Sequence, residues 1–171
     1  TKKNIEGLGL FLKANKNKDD YFFKIYGDEQ KIIKELNKNN IKKDKIEILN
    51  TLTVVSDDET PLTAIKNSKN SSMWNSINSQ IVSGANISLS AGNTGVLFVI
   101  SRMLLKTIDK VSKPALAGIW PNKKGVSVVL DLGANIECDE NNLIDFSEMG
   151  SALYKSLYGN EKPKVSLLNI G

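Results

Sequence analysis

Apolar and polar positions along the chain change period several times, and each change marks an element. Ile5, Leu8 and Leu12 recur at helical spacing, which predicts an amphipathic helix over residues 4–14 that ends in the polar run 15–20. Tyr21 to Tyr26 is aromatic and β-branched and reads as a strand, closed by Gly27-Asp28 before a second helix from Glu29 to Asn39 carrying Ile32, Ile33 and Leu36 on one side. Ile46 to Leu49 reads as a short buried strand. The acidic turn Asp57-Asp58-Glu59 leads into Thr60-Pro61, the form of an N-cap followed by proline at the first helical position. Met73, Ile77 and Ile81 then space out a helix ending near Gly84.

The second half of the chain alternates more plainly. A strand from Asn86 to Leu89 runs into SAGNTG, residues 90–95, and then into a helix from Val96 to Leu105 that is apolar nearly all round and so expected to be buried. Ala115 to Ile119 and Val126 to Leu130 are expected strands, separated by the turn Pro121 to Gly125, and the second leads into DLGAN, residues 131–135. A helix from about Asn141 to Tyr158 carries Leu143, Phe146, Met149, Leu153 and Leu157 on one side, and Val165 to Leu168 is a last strand stopping at NIG, residues 169–171. Strands alternating with helices at this pitch predict an α/β layered fold with a largely parallel sheet, without internal repeats or low-complexity linkers.

In such sheets ligands bind where the carboxyl ends of strands feed loops into helices. SAGNTG, DLGAN and NIG all fall at that edge. In SAGNTG the glycines permit close backbone approach, the start of the helix presents N–H groups to an anion, and Ser90, Asn93 and Thr94 add neutral donors. The plainer reading is that Asn93 or Thr94 caps the helix and Gly95 eases packing. Asp131 at a strand end, with Asn135 four residues on, could orient a substrate group, accept a proton or hold a cation, or could tie down its own loop amides. Lys66, Lys69, Ser71 and Ser72 form a basic, hydroxyl-rich segment before the Met73 helix, open to an anion-contact role or to service as its N-cap. Asp57, Asp58 and Glu59 could be read as paired carboxylates, but adjacent acids before a helix more often serve the cap and dipole.

Composition narrows the chemistry. The sequence has no histidine, which removes Ser-His-Asp and Cys-His pairs and the usual zinc and iron sites. Its one cysteine, Cys138, lies among Glu137, Asp139 and Glu140, which disfavours a thiolate, and it cannot form an internal disulfide; a reducing, cytoplasmic compartment is expected. The net charge of +4 sits wholly in residues 1–50, with 12 lysines against 8 acids. Of 23 basic residues only Arg102 is arginine, which argues against specific nucleic-acid readout. SAGNTG lacks the lysine of a Walker loop, and Gly7-Leu8-Gly9 has neither a third glycine nor a preceding strand, so neither is a nucleotide fingerprint. No apolar run is long enough to cross a bilayer, which takes about 20 residues.

Taken together, the segments resemble a known family, the bacterial phosphate acyltransferases of phospholipid synthesis, the PlsX type. The resemblance is carried by the acidic turn with Pro61 and Ala64-Ile65-Lys66, Ser71-Ser72-Met73, SAGNTG, RMLLKTI from Arg102, KPALAGIWP from Lys113, VVLDLGANIECD from Val128, Met149-Gly150 and PKVSLLNIG from Pro163. Trp74 stands where many members have a basic residue, so no charge is carried over there. The resemblance implies a three-layer α/β/α fold of the isocitrate and isopropylmalate dehydrogenase type, incomplete at both ends, with residues 1–171 a single partial domain corresponding to the N-terminal half of the family's domain without its first strand and loop.

The resemblance also implies an enzyme that moves a fatty acyl chain from acyl carrier protein to inorganic phosphate, without metal or organic cofactor. It implies a homodimer in the cytoplasm, with peripheral contact at the inner membrane face and a downstream membrane glycerol-phosphate acyltransferase as further expectations, and no nucleic-acid partner. On this reading Asn93, Asp131 and Asn135 are the expected catalytic residues. Ser90, Gly92, Thr94, Gly95, Lys66, Lys69, Ser71, Ser72, Asn169 and Gly171 are the expected phosphate or substrate contacts. The alternatives are a phosphate acetyl- or butyryltransferase using a coenzyme A thioester, and a non-catalytic module that binds phosphate or an acidic carrier protein through the lysine-rich start.

Overall fold

In the computed structural model, the structure describes residues 1–18, 20–56, 58–159 and 162–168. The chain divides into two compact units, Thr1–Lys106 and Thr107–Gly171. Both units combine strands and helices, but among the described residues the largely parallel sheet is met only in part: the pair in the first unit is parallel and the pair in the second is antiparallel.

The first unit opens with helix α1 (Lys2–Ala14), strand β1 (Phe23–Gly27), helix α2 (Glu29–Lys38) and strand β2 (Ile46–Asn50). β1 and β2 are parallel, in register from Phe23 opposite Ile46 to Gly27 opposite Asn50, so α2 is the crossover the alternation predicts. Ile5, Ile32, Leu36 and Ile46 form the core between helices and strands, flanked by Leu8, Phe23, Ile25, Ile41 and Ile48. Each fully buried Ile or Leu here contributes about 1.5–3 kcal/mol, which outweighs the weak helix propensity of the Gly7-containing α1. Gly9 is buried against Ile41, whose Cδ1 would lie 3.2 Å from a Cβ there and would have to give by a few tenths of an ångström. Phe11, Tyr21 and Phe23 close one end, with ring centroids 5.3–5.7 Å apart and Lys45 Nζ 4.6 Å from the Tyr21 centroid.

The start of α2 is closed by its own neighbours. The Asp28 side chain caps it by accepting the Lys31 N–H at 3.0 Å, and Lys31 Nζ returns to Asp28 Oδ2 at 3.0 Å. Asn50 Oδ1, at the end of β2, accepts the Glu29 N–H at 3.1 Å. The Lys31 backbone N–H first, then its side chain, hold the Asp28 carboxyl below its ordinary value.

The rest of this unit is helical: α3 (Pro61–Asn67), α4 (Ser72–Val82) and α5 (Thr94–Leu105). Thr60 Oγ1 accepts the Thr63 N–H at 3.3 Å, as the Thr60-Pro61 signature predicts. α3 and α4 are separate helices because Asn70 takes the left-handed conformation (φ 67°) and Ser71 restarts the chain as an N-cap. Met73, Ile77, Val96 and Ile100 pack between α4 and α5. The expectation of a buried α5 needs correcting: Val96 and Ile100 are buried, but Met103 is 47% and Leu105 40% exposed, because only one stripe of the helix meets α4 and α3.

The expected strand Asn86–Leu89 is also corrected. These residues pair with no strand; the Ser88 hydroxyl instead donates to the Ser76 carbonyl at 2.7 Å and accepts from Gln80 Nε2 at 2.8 Å, leaving Ile87 and Leu89 exposed. Val165–Leu168 likewise joins no sheet, and NIG lies outside the described residues.

The second unit holds an antiparallel hairpin, β3 (Ala117–Asn122) and β4 (Gly125–Leu130), and helix α6 (Glu140–Tyr158). The turn is tighter than Pro121 to Gly125, because Pro121 and Asn122 pair with Val126 and Gly125 and leave Lys123-Lys124 as a two-residue loop. Proline is tolerated in a two-stranded ribbon, where one side of each strand needs no donor. α6 begins at a capping box in which Asp139 and Asn142 exchange bonds of 3.2 and 2.8 Å, and buried Asn142 also donates to Ser112 Oγ at 2.7 Å. Gly150 lets α6 close on β4, since a Cβ there would lie 3.0 Å from Leu130 Cδ1.

Candidate functional site

In the first unit the acidic turn, the start of α4 and the SAGNTG loop come together. Ser71 is fully buried and its Oγ accepts the Trp74 N–H at 3.1 Å, so this hydroxyl serves the N-cap, while the Ser72 N–H donates to the Thr53 carbonyl at 3.1 Å. The loop approaches closely: a Cβ on Gly92 would lie 3.0 Å from Met73 Cε and 3.5 Å from Ser90 Oγ. A side chain at this position would have to displace the tip of Met73. Ser90 Oγ accepts the Gly92 N–H at 3.2 Å, which curls the loop onto itself before α5.

Asn93 is fixed at both ends of its amide. Its Oδ1 accepts the Val96 N–H at 3.1 Å as the α5 N-cap, and its Nδ2 donates to the Glu59 carbonyl at 3.0 Å. The Thr94 and Gly95 positions of the first turn are exposed, and N–H groups of a first helical turn have no partner inside the helix. Partial positive charge therefore faces outward there. Lys66 in the last turn of α3 and Lys69 in the following bend are exposed, and neither forms an ion pair with another described residue.

In the second unit DLGAN forms a closed turn at the end of β4. Asp131 Oδ2 accepts the Asn135 N–H at 3.2 Å, the Gly133 N–H donates to the Asp131 carbonyl at 2.8 Å, and Gly133 takes φ 79°, which favours glycine. Asn135 Nδ2 donates to the Pro114 carbonyl at 2.8 Å, holding the turn to the segment before β3. Asp131 Oδ1 is buried without a partner. Glu35 Oε2 and Glu59 Oε2 are buried and unpartnered in the same way, so the free oxygen gives Asp131 capacity for one more donor without by itself marking a site.

Of the expected site residues, Lys66, Lys69, Ser71, Ser72, Ser90, Gly92, Asn93, Thr94 and Gly95 lie in the first unit and Asp131 and Asn135 in the second, while Asn169 and Gly171 lie outside the described residues. The structure brings together Ser71, Ser72, Ser90, Gly92 and Asn93 around the facing starts of α4 and α5. Pattern reading misses Glu59. This acid is not merely a cap partner: its carbonyl anchors Asn93 from 34 residues away, and no local periodicity can signal such a contact. Thr51 and Ser68 are also buried with unpartnered hydroxyls, and nothing in their sequence neighbourhood distinguishes them. Among the described residues no three potential metal ligands cluster, and no helix is long and apolar enough to cross a membrane.

Comparison with known proteins bears on the same segments. The family model for "Fatty acid synthesis protein" matches residues 5–171. A protein of Pelagibacter ubique named "Phosphate acyltransferase" is 49% identical over 99% of this chain and 50% of its own length. Proteins of the same name from Caulobacter vibrioides (38% identical, 87% of this chain, 41% of the relative) and Maricaulis maris (35%, 98% and 47%) are similar in the same way. The chain thus spans about half the length of the relatives it matches. With the match running from the first core through SAGNTG and DLGAN, the chain belongs to the fatty acid synthesis protein family, the family of the bacterial phosphate acyltransferases of the PlsX type.

Proposed function

We propose that the protein carrying these residues transfers a fatty acyl chain from the thioester of acyl carrier protein to inorganic phosphate, giving an acyl phosphate for phospholipid synthesis. The observation that carries this reading is the exposed first turn of α5, entered through SAGNTG, in a chain whose relatives are named phosphate acyltransferase.

A phosphate oxygen forms the new C–O bond at the thioester carbonyl carbon. The oxyanion that results collapses with cleavage of the C–S bond, and the departing thiolate takes a proton from solvent. Phosphate is already a competent nucleophile near neutral pH, so the protein's task is positioning and oxyanion stabilisation. The Thr94 and Gly95 amides with Ser90 are the anion contacts, Lys66 or Lys69 adds charge, and Asn93 acts by holding the turn in place. Asp131 offers its free Oδ1 to a substrate donor, and Asn135 keeps that carboxylate oriented. No step as written requires a metal or an organic cofactor. The same reading includes a cytoplasmic homodimer, as the family resemblance implies.

The test is an assay of the full-length protein with acyl carrier protein thioester and labelled phosphate, trapping acyl phosphate with hydroxylamine. Carrier-dependent acyl phosphate is expected. Turnover of coenzyme A thioesters alone would move the reading to an acetyl- or butyryltransferase, and absence of product with either donor would end it.

A further inference from the structure

The acidic turn before α3 and the SAGNTG loop are joined by a continuous relay of hydrogen bonds. Ser56 and Glu59 close a ring: the Ser56 N–H donates to Glu59 Oε1 at 3.0 Å, and the Glu59 N–H donates to the Ser56 carbonyl at 3.3 Å. The Asp58 N–H adds a longer bond to Ser56 Oγ at 3.4 Å. This ring fixes the direction of the Glu59 carbonyl, which accepts Asn93 Nδ2; that bond sets the amide so that Asn93 Oδ1 meets the Val96 N–H. The second carboxylate oxygen, Glu59 Oε2, is buried and has no partner. Glu59 as a whole is half-buried and its Oε1 bond to the Ser56 N–H lies at the surface, so the closed ring, rather than the charge, is what ties this turn to Asn93.

We infer that Glu59 is a positioning residue for phosphate, acting through Asn93 on the first turn of α5. The inference rests on the proposed acyl transfer for its kinetic form, and the relay has its own readout. A displacement of about 1 Å in a positioning group can change rate by about 10²-fold, so a small relaxation of the turn has measurable consequences. The carboxylate oxygen that matters is the acceptor Oε1, and glutamine retains an acceptor at that place.

The experiment compares Glu59→Ala and Glu59→Gln with the unaltered full-length protein by two measurements: phosphate KM at saturating acyl donor, and hydrogen exchange of the Val96 and Leu97 amides. Glu59→Ala is expected to raise phosphate KM about tenfold with a smaller change in kcat, and to speed exchange at Val96. Glu59→Gln is expected to stay within about twofold on both, because the ring still closes. Unchanged exchange in Glu59→Ala overturns the relay. Faster exchange with an unchanged phosphate KM overturns the role in phosphate binding, and a Gln variant as impaired as Ala overturns the assignment to Oε1. If the unaltered protein makes no acyl phosphate, the acyl-transfer reading fails; the exchange data then decide the relay, and phosphate binding by equilibrium dialysis takes the place of KM.

Discussion

Two aspartates leave the ends of strands in this protein, and they differ in whether both carboxylate oxygens are engaged. At the exit of β1, Asp28 uses both carboxylate oxygens on Lys31, one on its N–H and one on its ammonium, while Asn50 engages the next free N–H of α2. At the exit of β4, Asp131 uses Oδ2 on the Asn135 N–H and leaves Oδ1 buried and unpartnered. The strand-end position that attracts attention in an α/β fold is thus common to a closed cap and to a site with capacity left over. What separates them is the unsatisfied atom, not the residue type or its place in the topology.

The largest effect is expected where this difference is removed. Asp131→Asn keeps an acceptor for the Asn135 N–H and replaces the free oxygen with a donor, so it leaves the loop closed and alters only the open atom. Turnover of the full-length protein should fall about 10²-fold or more, as for loss of a well-placed polar group, with thermal unfolding little changed. Activity at the unaltered level would make Asp131 a loop fastener like Asp28 and erase the contrast.

Asn93 lies between the two extremes, with both amide ends engaged by the protein. Asn93→Asp keeps the cap, since a carboxylate also accepts the Val96 N–H, but turns the Nδ2 donor into an acceptor facing the Glu59 carbonyl. We expect a loss of turnover of about tenfold in a protein whose α5 remains capped. Asn93→Ala should lose the cap as well, at about 1 kcal/mol in denaturant unfolding. Equal turnover in the two variants would show that the link to Glu59 carries nothing, and would place Asn93 with Asp28 as a local cap.

How much of this is legible in the sequence follows from how local each interaction is. The Gly27-Asp28 stop, the spacing of Ile32 and Leu36, and the turn chemistry around Ser71 are settled within four residues, and the structure has them where pattern reading places them. Asn86–Leu89 has the composition of a strand, but a strand exists only where a neighbour offers a ladder, and that neighbour is not specified locally. The same holds for the site. The cap roles of Asn93 and Ser71 are written in adjacent residues, whereas the Glu59 contact and the free Asp131 oxygen depend on segments brought together by folding. SAGNTG and DLGAN were legible as motifs; which of their atoms remain available was not.

A smaller effect is expected at Ser71, whose hydroxyl is wholly engaged on the Trp74 N–H inside the α3–α4 break. Ser71→Ala should cost about 1 kcal/mol of unfolding free energy. A changed phosphate affinity at unchanged stability would instead put its hydroxyl among the ligand contacts, on the Asp131 side of the comparison.

The smallest effect is the one that calibrates the closed case. The Asp28 carboxyl lies below its ordinary value in the folded chain because the Lys31 N–H and ammonium favour its charged form. A depressed folded value means that the unfolded state binds the proton more readily, so the contribution is complete above the unfolded value and is lost as pH falls through the folded one. Stability should therefore decline on acidification below about pH 4 in part through this group. Because the pair is solvent-exposed, the effect should shrink further as salt is raised. Asparagine caps a helix about as well as aspartate and does not titrate, so Asp28→Asn should leave neutral stability nearly unchanged and flatten that acid limb of the unfolding curve. An acid limb unaffected by Asp28→Asn would mean that the ammonium and N–H of Lys31 do not hold the carboxylate in solution, and the β1 exit would then be as open as the β4 exit.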